Sequence, residues 1–318
     1  MTSAVQNPTR VRVPGRRSST ADASRMERRE GRAGYVLIAP TTVLLALFYL
    51  YPLAQTVYYS FTDWNPASGE TNGFVGLSNF TGLFQDGEFL RAAGNTALYV
   101  VVVVPITMAL GLFFAALLAQ PFRGRGVYRA LLFVPYIAPI VGSALIFSFI
   151  LSPLGGLVNG VVTALGAPPI GFLTSEPWAL VSVIVFSIWQ GVGYTMIIYS
   201  AALTNIPASY MEAATLDGAG PIRRFFKISL PLVAPTTGFL AITGVIGALQ
   251  VFTQVYVLTQ GGPINSSETI LYYIYNQGFV FFHGGSASAA AVLLLIVGIL
   301  VAVVQLRVIN RRDPIELN

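Results

Sequence analysis

Six long segments of this chain contain no charged residue and no histidine, and this pattern restricts the fold more than any other feature of the sequence. Each has at least 20 residues, the length that an α-helix needs to cross the hydrocarbon of a bilayer. We predict spans at Tyr35–Phe61, Ala97–Gln120, Ala130–Leu151, Trp178–Leu203, Leu232–Thr259 and Ala287–Leu306. A hydrophobic fraction of 54% and a mean hydropathy of +0.69 are typical of proteins whose main solvent is lipid. The predicted fold class is therefore an all-α integral membrane protein with six transmembrane helices.

The basic residues are distributed very unevenly between the segments that join the spans. Of the 18 arginines and lysines, eight precede the first span, and three follow each of the second, fourth and sixth spans. Only Arg91 falls on the other side of the membrane. Because cytoplasmic loops carry an excess of Lys and Arg, we predict that both termini are cytoplasmic. The net charge of +5 then reflects orientation in the membrane, and we expect no nucleic-acid partner.

Composition divides the chain into three predicted parts. Residues 1–33 are rich in Arg, Ser, Ala and Gly, which is typical of a disordered tail, and residues 34–310 form the six-span domain, followed by a short cytoplasmic tail at 311–318. The chain has no cysteine and a single histidine, His283, which leaves few ligands for a transition metal. We expect no metal, no cofactor bound by this chain and no enzyme activity.

The lack of ionisable residues in the spans limits how this chain could move a solute. Carriers that are coupled to protons or cations usually hold titratable groups inside the membrane. If this chain moves a solute uphill, the energy must therefore enter through another polypeptide. A phosphate or carboxylate substrate would also favour Arg or Lys nearby. A neutral, polyhydroxylated solute fits the spans better.

Side chains that are small or carry an amide or a hydroxyl recur on one helical face of the fourth span and one of the fifth. They are Ser187, Gln190, Gly191 and Tyr194 on the fourth span and Thr243, Gly247, Gln250 and Gln254 on the fifth. Their polar groups can hydrogen-bond to sugar hydroxyls, and the rings of Trp189 and Tyr194 can contact the apolar side of a sugar ring. Small and polar residues also mediate close packing between membrane helices, so the pattern alone leaves both interpretations open.

The predicted outer loops carry two short helical patterns. In the second outer loop, apolar residues at helical spacing follow Gly155-Gly156-Leu157-Val158-Asn159-Gly160 and indicate a short interfacial helix. In the third outer loop, Asn265 and Glu268 have the spacing of a capping box. We predict that they cap an aromatic helix beginning near Ile270.

The connection between the fourth and fifth spans is too polar to enter lipid. Pro207 suits the first turn of a helix that ends near Leu216, and Gly218 suits the left-handed conformation that follows a helix. Pro221 can start a second short helix, which we predict Pro231 to close. The resulting helix, turn and helix is either a docking surface for a protein or an amphipathic loop that lies on the headgroups.

This connection, residues 204–231, resembles the EAA loop of ABC importer permeases in residue type and spacing. The matching residues are Glu212-Ala213-Ala214, Gly218 and Ile228-x-Leu230-Pro231. Other segments are similar to the carbohydrate-uptake branch of that family, the maltose-type or glycerol-phosphate-type first permease. They are Asn95-Thr96, Gly155-Gly156-Leu157-Val158-Asn159 and Val257-Leu258-Thr259-x-Gly261-Gly262-Pro263. The resemblance extends over about residues 35 to 310.

The resemblance implies a type I ABC importer permease core in the bacterial cytoplasmic membrane, working as one subunit of an ATP-driven sugar importer. It implies as partners a second homologous permease, a dimer of cytoplasmic ATPase subunits that bind ATP-Mg, and an extracytoplasmic solute-binding protein. The implied ATPase-coupling residues are Glu212, Ala213, Ala214, Asp217, Gly218 and Arg223. The residues expected to bind substrate, from the resemblance and the polar faces together, are Trp189, Gln190, Gly191, Tyr194, Gln250 and Gln254.

The chain itself has no nucleotide-binding motif. The sequence Gly-x-x-x-x-Gly-Lys-Ser/Thr is absent, and Lys227 is the only lysine, so ATP would be bound by the partner ATPase. Three alternatives stay open from the residues alone: an ATP-independent facilitator or secondary carrier, an importer of glycerol 3-phosphate, and a membrane scaffold that recruits a soluble protein through the loop.

Overall fold

The structure is a computed structural model that describes residues 37–68, 73–120 and 122–310 of the 318-residue chain. The predicted tails at 1–33 and 311–318 lie outside the described residues. The chain divides between Gln55 and Thr56 into two compact units. Helix α1, Leu37–Tyr59, begins in the first unit and is long and apolar enough to cross a membrane. It contains a π-helical turn at Ala46–Leu50.

Apart from loops, the described residues of the second unit form helices. The only β-type pairing in the part of the chain that the structure describes is an isolated bridge between Thr62 and Phe74. The helices are α2 (Ser78–Leu83), α3 (Gly87–Ala119), α4 (Arg125–Ile137), α5 (Ile140–Leu151), α6 (Leu157–Ala164), α7 (Trp178–Thr204), α8 (Ala208–Leu216), α9 (Pro221–Leu232), α10 (Ala234–Leu249), α11 (Thr253–Leu258), α12 (Ile270–Tyr275) and α13 (Gly284–Asn310). Helix α6 lies in the second outer loop, where we predicted a short helix, but it begins at Leu157, before the predicted start after Gly160.

Four of these helices, α1, α3, α7 and α13, are long and apolar enough to span a bilayer individually. Two bent pairs qualify when each is taken as one span: α4 with α5, and α9 with α10. By length and composition, the described residues therefore contain between four and six candidate crossings. The prediction of a helical, membrane-spanning protein is confirmed, while the cytoplasmic location of both termini stays a prediction.

The third and fifth predicted spans are not the continuous helices that we expected. Between α4 and α5 the chain bends by 99°, because Ala138 is extended (φ −62°, ψ 142°) and Pro139 has no backbone N–H to donate. In the fifth span, α10 ends at Leu249 and α11 begins only at Thr253. The hydroxyl of Thr269 donates to the carbonyl of Val251 in this break (3.0 Å), which replaces a lost helical hydrogen bond.

Helix α7 is the most enclosed of the long helices, and small residues allow its neighbours to approach closely. The hydroxyl of Thr195 in α7 donates to the carbonyl of Thr107 in α3 (3.0 Å). A Cβ atom added to Gly111 would collide with Thr195, and one added to Gly193 would collide with the backbone of α4 at Leu132. The packing interpretation of small residues in these spans therefore applies to Gly111 and Gly193.

The predicted capping box of the third outer loop does not form. Asn265 has a left-handed backbone (φ 59°), and no side-chain hydrogen bond from its own segment caps α12. Instead, the hydroxyl of Thr96 in α3 accepts from the N–H of Ile270 (2.9 Å). The cap is thus supplied by a residue 174 positions earlier in the chain, which spacing within the loop could not indicate.

Candidate functional site

A cavity of about 710 Å³ lies between α3, the α4–α5 bend, α7, α10 and the start of α11. Its polar lining side chains are Tyr99, Thr107, Tyr136, Ser187, Gln190, Tyr194, Thr195, Thr243 and Gln254. No charged side chain and no histidine contributes to this wall among the residues that the structure describes. Such a cavity can offer hydrogen bonds to a neutral solute, but it has no opposite charge for an ionised one.

Both predicted polar faces contribute to this single cavity. Gln190, Gly191 and Tyr194 line it from α7, and Gln254 lines it from α11. Thr243 and Gly247, predicted on the same face of the fifth span, line it from α10. The chain bends by 99° between α4 and α5. Ala138 and Ile140, at this bend, form part of the cavity wall.

The structure does not bring two of the predicted substrate residues to the cavity wall. Trp189 is exposed and stacks against Phe147 in α5, with ring centroids 5.9 Å apart. It points away from its neighbour Gln190 because successive residues of an α-helix are rotated by about 100°. Gln250 caps the C-terminus of α10 and is exposed. Neither residue is among those lining the cavity.

An aromatic pair forms part of the wall and was missed by our sequence reasoning. The rings of Tyr136 in α4 and Tyr194 in α7 stack with centroids 5.1 Å apart and planes at 25°. Tyr99 and Thr107, two hydroxyl-bearing residues in the valine-rich second span, were missed as well. Their spacing of eight residues places them near one face of α3, and that is the signal that could have identified them.

Gly191 fits both interpretations of the polar face of the fourth span, ligand binding and close helix packing. It lines the cavity, and a Cβ atom at this position would lie 3.1 Å from Cγ2 of Thr107. A larger residue would therefore press against the Thr107 side chain of α3 and also occupy space in the cavity. Packing and ligand contact are not exclusive roles at this position.

The polar connection forms the predicted helix, turn and helix. Helix α8 ends at Leu216, and Gly218 adopts a left-handed conformation (φ 74°), which glycine tolerates best. The guanidinium of Arg224 in α9 donates to the hydroxyl of Thr215 in α8 (2.9 Å). This bond joins the two helices across the turn.

The end of the second helix differs from our prediction, because Pro231 does not close it. A π-helical turn covers Phe225–Ser229, and the N–H of Leu230 donates to the carbonyl of Phe225. Pro231 then lies in the first turn of the continuation Leu230–Leu232, where a missing N–H costs little. The chain bends by 63° only where α9 meets α10.

The predicted coupling residues lie on this exposed projection. Ala214 is buried, and the others are exposed: Glu212, Ala213, Asp217, Gly218 and Arg223. Within the described part of the chain, the Glu212 side chain forms no hydrogen bond or ion pair. It is therefore available to a partner.

Three large apolar side chains of the same projection are also exposed and were not among our predicted site residues. Leu216 is 90% exposed, Ile222 75% and Phe226 58%. They lie on both sides of the Gly218 turn. Apolar side chains exposed beside charged ones are typical of a protein-docking surface.

Comparisons with known proteins are consistent with this geometry. Residues 77–312 match the family described as binding-protein-dependent transport system inner membrane component. The lactose transport system permease protein LacF of Rhizobium radiobacter is 37% identical over 268 residues, which cover 83% of this chain and 89% of that protein. The sn-glycerol-3-phosphate transport system permease protein UgpA of Escherichia coli (strain UTI89 / UPEC) is 35% identical over 280 residues, covering 87% and 94%.

A solved structure has the same fold. A chain of a bacterial ABC transporter involved in the import of the acidic polysaccharide alginate superimposes with a TM-score of 0.82 at 23% sequence identity. The match covers 91% of this chain and 98% of that chain. At this level of identity the likeness concerns the arrangement of helices.

Proposed function

This chain belongs to the family of binding-protein-dependent transport system inner membrane components, and we propose that it forms half of the translocation pathway of an ATP-driven sugar importer. It is a multi-pass permease of the inner membrane. The observation that carries the proposal is the cavity of about 710 Å³, whose largely apolar wall carries hydroxyl and amide groups and, among the described residues, no charged side chain.

The substrate class follows from the chemistry of that wall. Hydroxyl and amide groups from Tyr99, Gln190 and Gln254 can donate to and accept from the hydroxyls of a sugar. The stacked rings of Tyr136 and Tyr194 provide an apolar surface for the face of a sugar ring. A relative transports lactose by its name, which supports the same class.

Glycerol 3-phosphate is the second candidate, because another relative is named for its transport. A phosphate favours arginine or lysine within hydrogen-bond distance. The described residues place neither on the cavity wall. The partner permease would have to supply them, so a neutral sugar fits this chain better.

The projection formed by α8, Gly218 and α9 is the proposed contact with a cytoplasmic ATPase. Glu212, Asp217 and Arg223 would orient the partner by charge, and Leu216 and Ile222 would be buried against it. ATP-Mg would be bound by the ATPase dimer. A second homologous permease would complete the cavity, and an extracytoplasmic solute-binding protein would deliver the sugar.

The test of this assignment is gentle purification of the tagged chain from its native host, followed by identification of the proteins that co-elute. We expect a second permease and an ATPase with a phosphate-binding loop, and sugar-stimulated ATP hydrolysis by the complex. A well-folded chain that elutes alone and supports uptake into liposomes without ATP would instead establish the facilitator alternative.

The cavity assignment predicts different effects for two glutamines that the sequence analysis both expected to bind substrate. Gln190→Leu removes the amide of a wall residue without changing its size greatly, so we expect a 3- to 10-fold rise in the half-saturating sugar concentration, about the value of one hydrogen bond. Gln250→Leu changes an exposed residue off the wall and should leave it unchanged. Both are measured by sugar-stimulated ATP hydrolysis of the assembled importer, and equal effects would contradict the placement of the site.

A further inference from the structure

The loop between α11 and α12 is fastened to the start of α3 by side chains of α3. The amide of Asn95 donates to the carbonyls of Glu268 (2.8 Å) and Ser266 (3.1 Å). Thr96 accepts from the N–H of Ile270 (2.9 Å). We call these three hydrogen bonds the outer latch, since the loop belongs to the predicted outer side. They hold together segments that are more than 170 residues apart in the chain.

Inside this latch lies a carboxyl group that the proposed transport function does not use. Glu268 is only 2% exposed. Its Oε1 accepts from Nδ2 of Asn276 (3.1 Å), but its enclosed Oε2 has no hydrogen-bond partner within the described residues. A buried carboxylate normally needs donors or a cation for both oxygens. The ionised form of Glu268 is therefore poorly satisfied in the closed loop.

The charged groups around Glu268 make its ionisation more costly. Asp86 and Glu88 at the start of α3 both repel a negative charge on Glu268, and Asp86 is fixed by the hydroxyl of Tyr273 (2.6 Å). The tyrosines that interact with it from α12, Tyr272 and Tyr273, supply no positive charge. The one cation of this region, Arg91, donates to the carbonyl of Ile264 (2.9 Å), and no ion pair joins it to Glu268 in the described residues.

Burial, which is the largest effect, and then the charges of Glu88 and Asp86 raise the pKa of Glu268 to about 7, although the Asn276 hydrogen bond lowers it. The ordinary value is 4.5. Because the closed loop holds the proton more tightly than an opened loop would, the closed state is most stable at acidic pH. That stability is lost as the pH rises from the ordinary value to about 7, and little further change follows above it.

We propose that Glu268 is a proton-binding site which keeps the outer latch closed when it is protonated and loosens the latch when it is ionised. An ionised Glu268 is relieved when the loop opens and water reaches Oε2. The freedom of the α11–α12 loop then depends on the pH of the compartment that it faces. The latch and Glu268 lie outside the cavity wall, so the pH response of the loop is the same whichever solute passes through the cavity.

The proposal is tested by hydrogen–deuterium exchange of the Ile270 amide, which belongs to the latch, in the assembled transporter reconstituted in lipid nanodiscs. After correction for intrinsic exchange, opening at Ile270 should increase about 30-fold between about pH 5.5 and about pH 8.5. The Glu268→Gln variant should show no such dependence. Glu176→Gln, an exposed carboxyl in another loop, should retain it. Exchange independent of pH in the unchanged protein, or an equal dependence in Glu268→Gln, would overturn the proposal.

Infrared spectroscopy provides a second readout that remains decisive if the Glu268→Gln variant does not fold. As the pH is raised, the carbonyl band of a protonated carboxyl should disappear from the spectrum of the unchanged protein. Its midpoint should lie near the pKa of Glu268, about 7, which is well above the range in which ordinary carboxyls titrate. Absence of such a band at neutral pH would show that Glu268 is ionised in the closed latch and would refute the inference.

Discussion

Replacing Gly193 with alanine is expected to prevent correct packing of the second unit and to leave little folded protein in the membrane. A Cβ atom at this position would collide with the carbonyl oxygen of Leu132 and lie 2.8 Å from the Cα of Phe133. These are backbone atoms of α4, which cannot rotate away as a side chain can. Helices α4 and α7 would have to separate, and the Tyr136–Tyr194 stack lies between them. Overpacking of this kind costs about 1–3 kcal/mol and occasionally more.

The measurement is the amount of monodisperse protein recovered in detergent, together with its thermal unfolding midpoint. Gly298→Ala is the matched control, because Gly298 also lies inside a long apolar helix but has no neighbouring atom within 4 Å of an added Cβ. Alanine there should be neutral or slightly stabilising, since glycine is a poorer helix former. Equal recovery of the two variants would show that the contact between α4 and α7 is looser than described.

Reversing the charge of Glu212 is expected to abolish coupling to the ATPase without loss of the permease. Glu212 is exposed on α8, and within the described residues no partner holds it, so Glu212→Lys should not disturb the fold. In a docked complex, however, the ATPase groups that attract the glutamate would repel a lysine at the same position. Such a like-charge contact costs several kcal/mol. A loss of about 1.4 kcal/mol already lowers an equilibrium tenfold. We therefore expect at least a tenfold fall in sugar-stimulated ATP hydrolysis.

This prediction is checked on the purified assembly, with the amount of permease in the membrane measured in parallel. Glu176→Lys is the control, since Glu176 is also exposed but lies in the loop before α7, on the predicted opposite side of the membrane. It should hydrolyse ATP at the unchanged rate. If Glu212→Lys retained stimulated hydrolysis, the projection of α8 and α9 would not be the coupling surface.

The helical, membrane-spanning class could be predicted from the sequence because lipid imposes one strict requirement. Backbone groups inside a bilayer must be hydrogen-bonded within the protein, and a helix of about 20 residues achieves this over a single segment, so long uncharged segments such as Trp178–Leu203 predict spanning helices. The turn at Gly218 could also be predicted, because a left-handed residue after a helix is a local preference. The interruption of the third span had a local signal as well, in the proline at position 139.

The candidate site could be predicted only in part. Helical periodicity placed Gln190, Gly191 and Tyr194 on one face of α7, and that face does line the cavity. Periodicity gives the relative angle of residues on one helix, but it does not say which angle faces a neighbouring helix. For that reason it gave no indication that Tyr136 would stack on Tyr194. Trp189 lies off this face and was expected at the site for its ring and from the family resemblance, neither of which gives its angle on the helix.

The sequence by itself determined where this chain can cross a membrane and where its polar projection lies in the chain, because both depend on interactions within about 20 residues of chain. Only the tertiary structure decided that α3, α7 and α10 contribute to the wall of one cavity, in which the described residues place no charged side chain. It alone also placed Asn95 and Thr96 against the loop that buries Glu268. Those contacts join residues that are far apart in the chain, and their formation depends on how the helices pack, which no local pattern encodes.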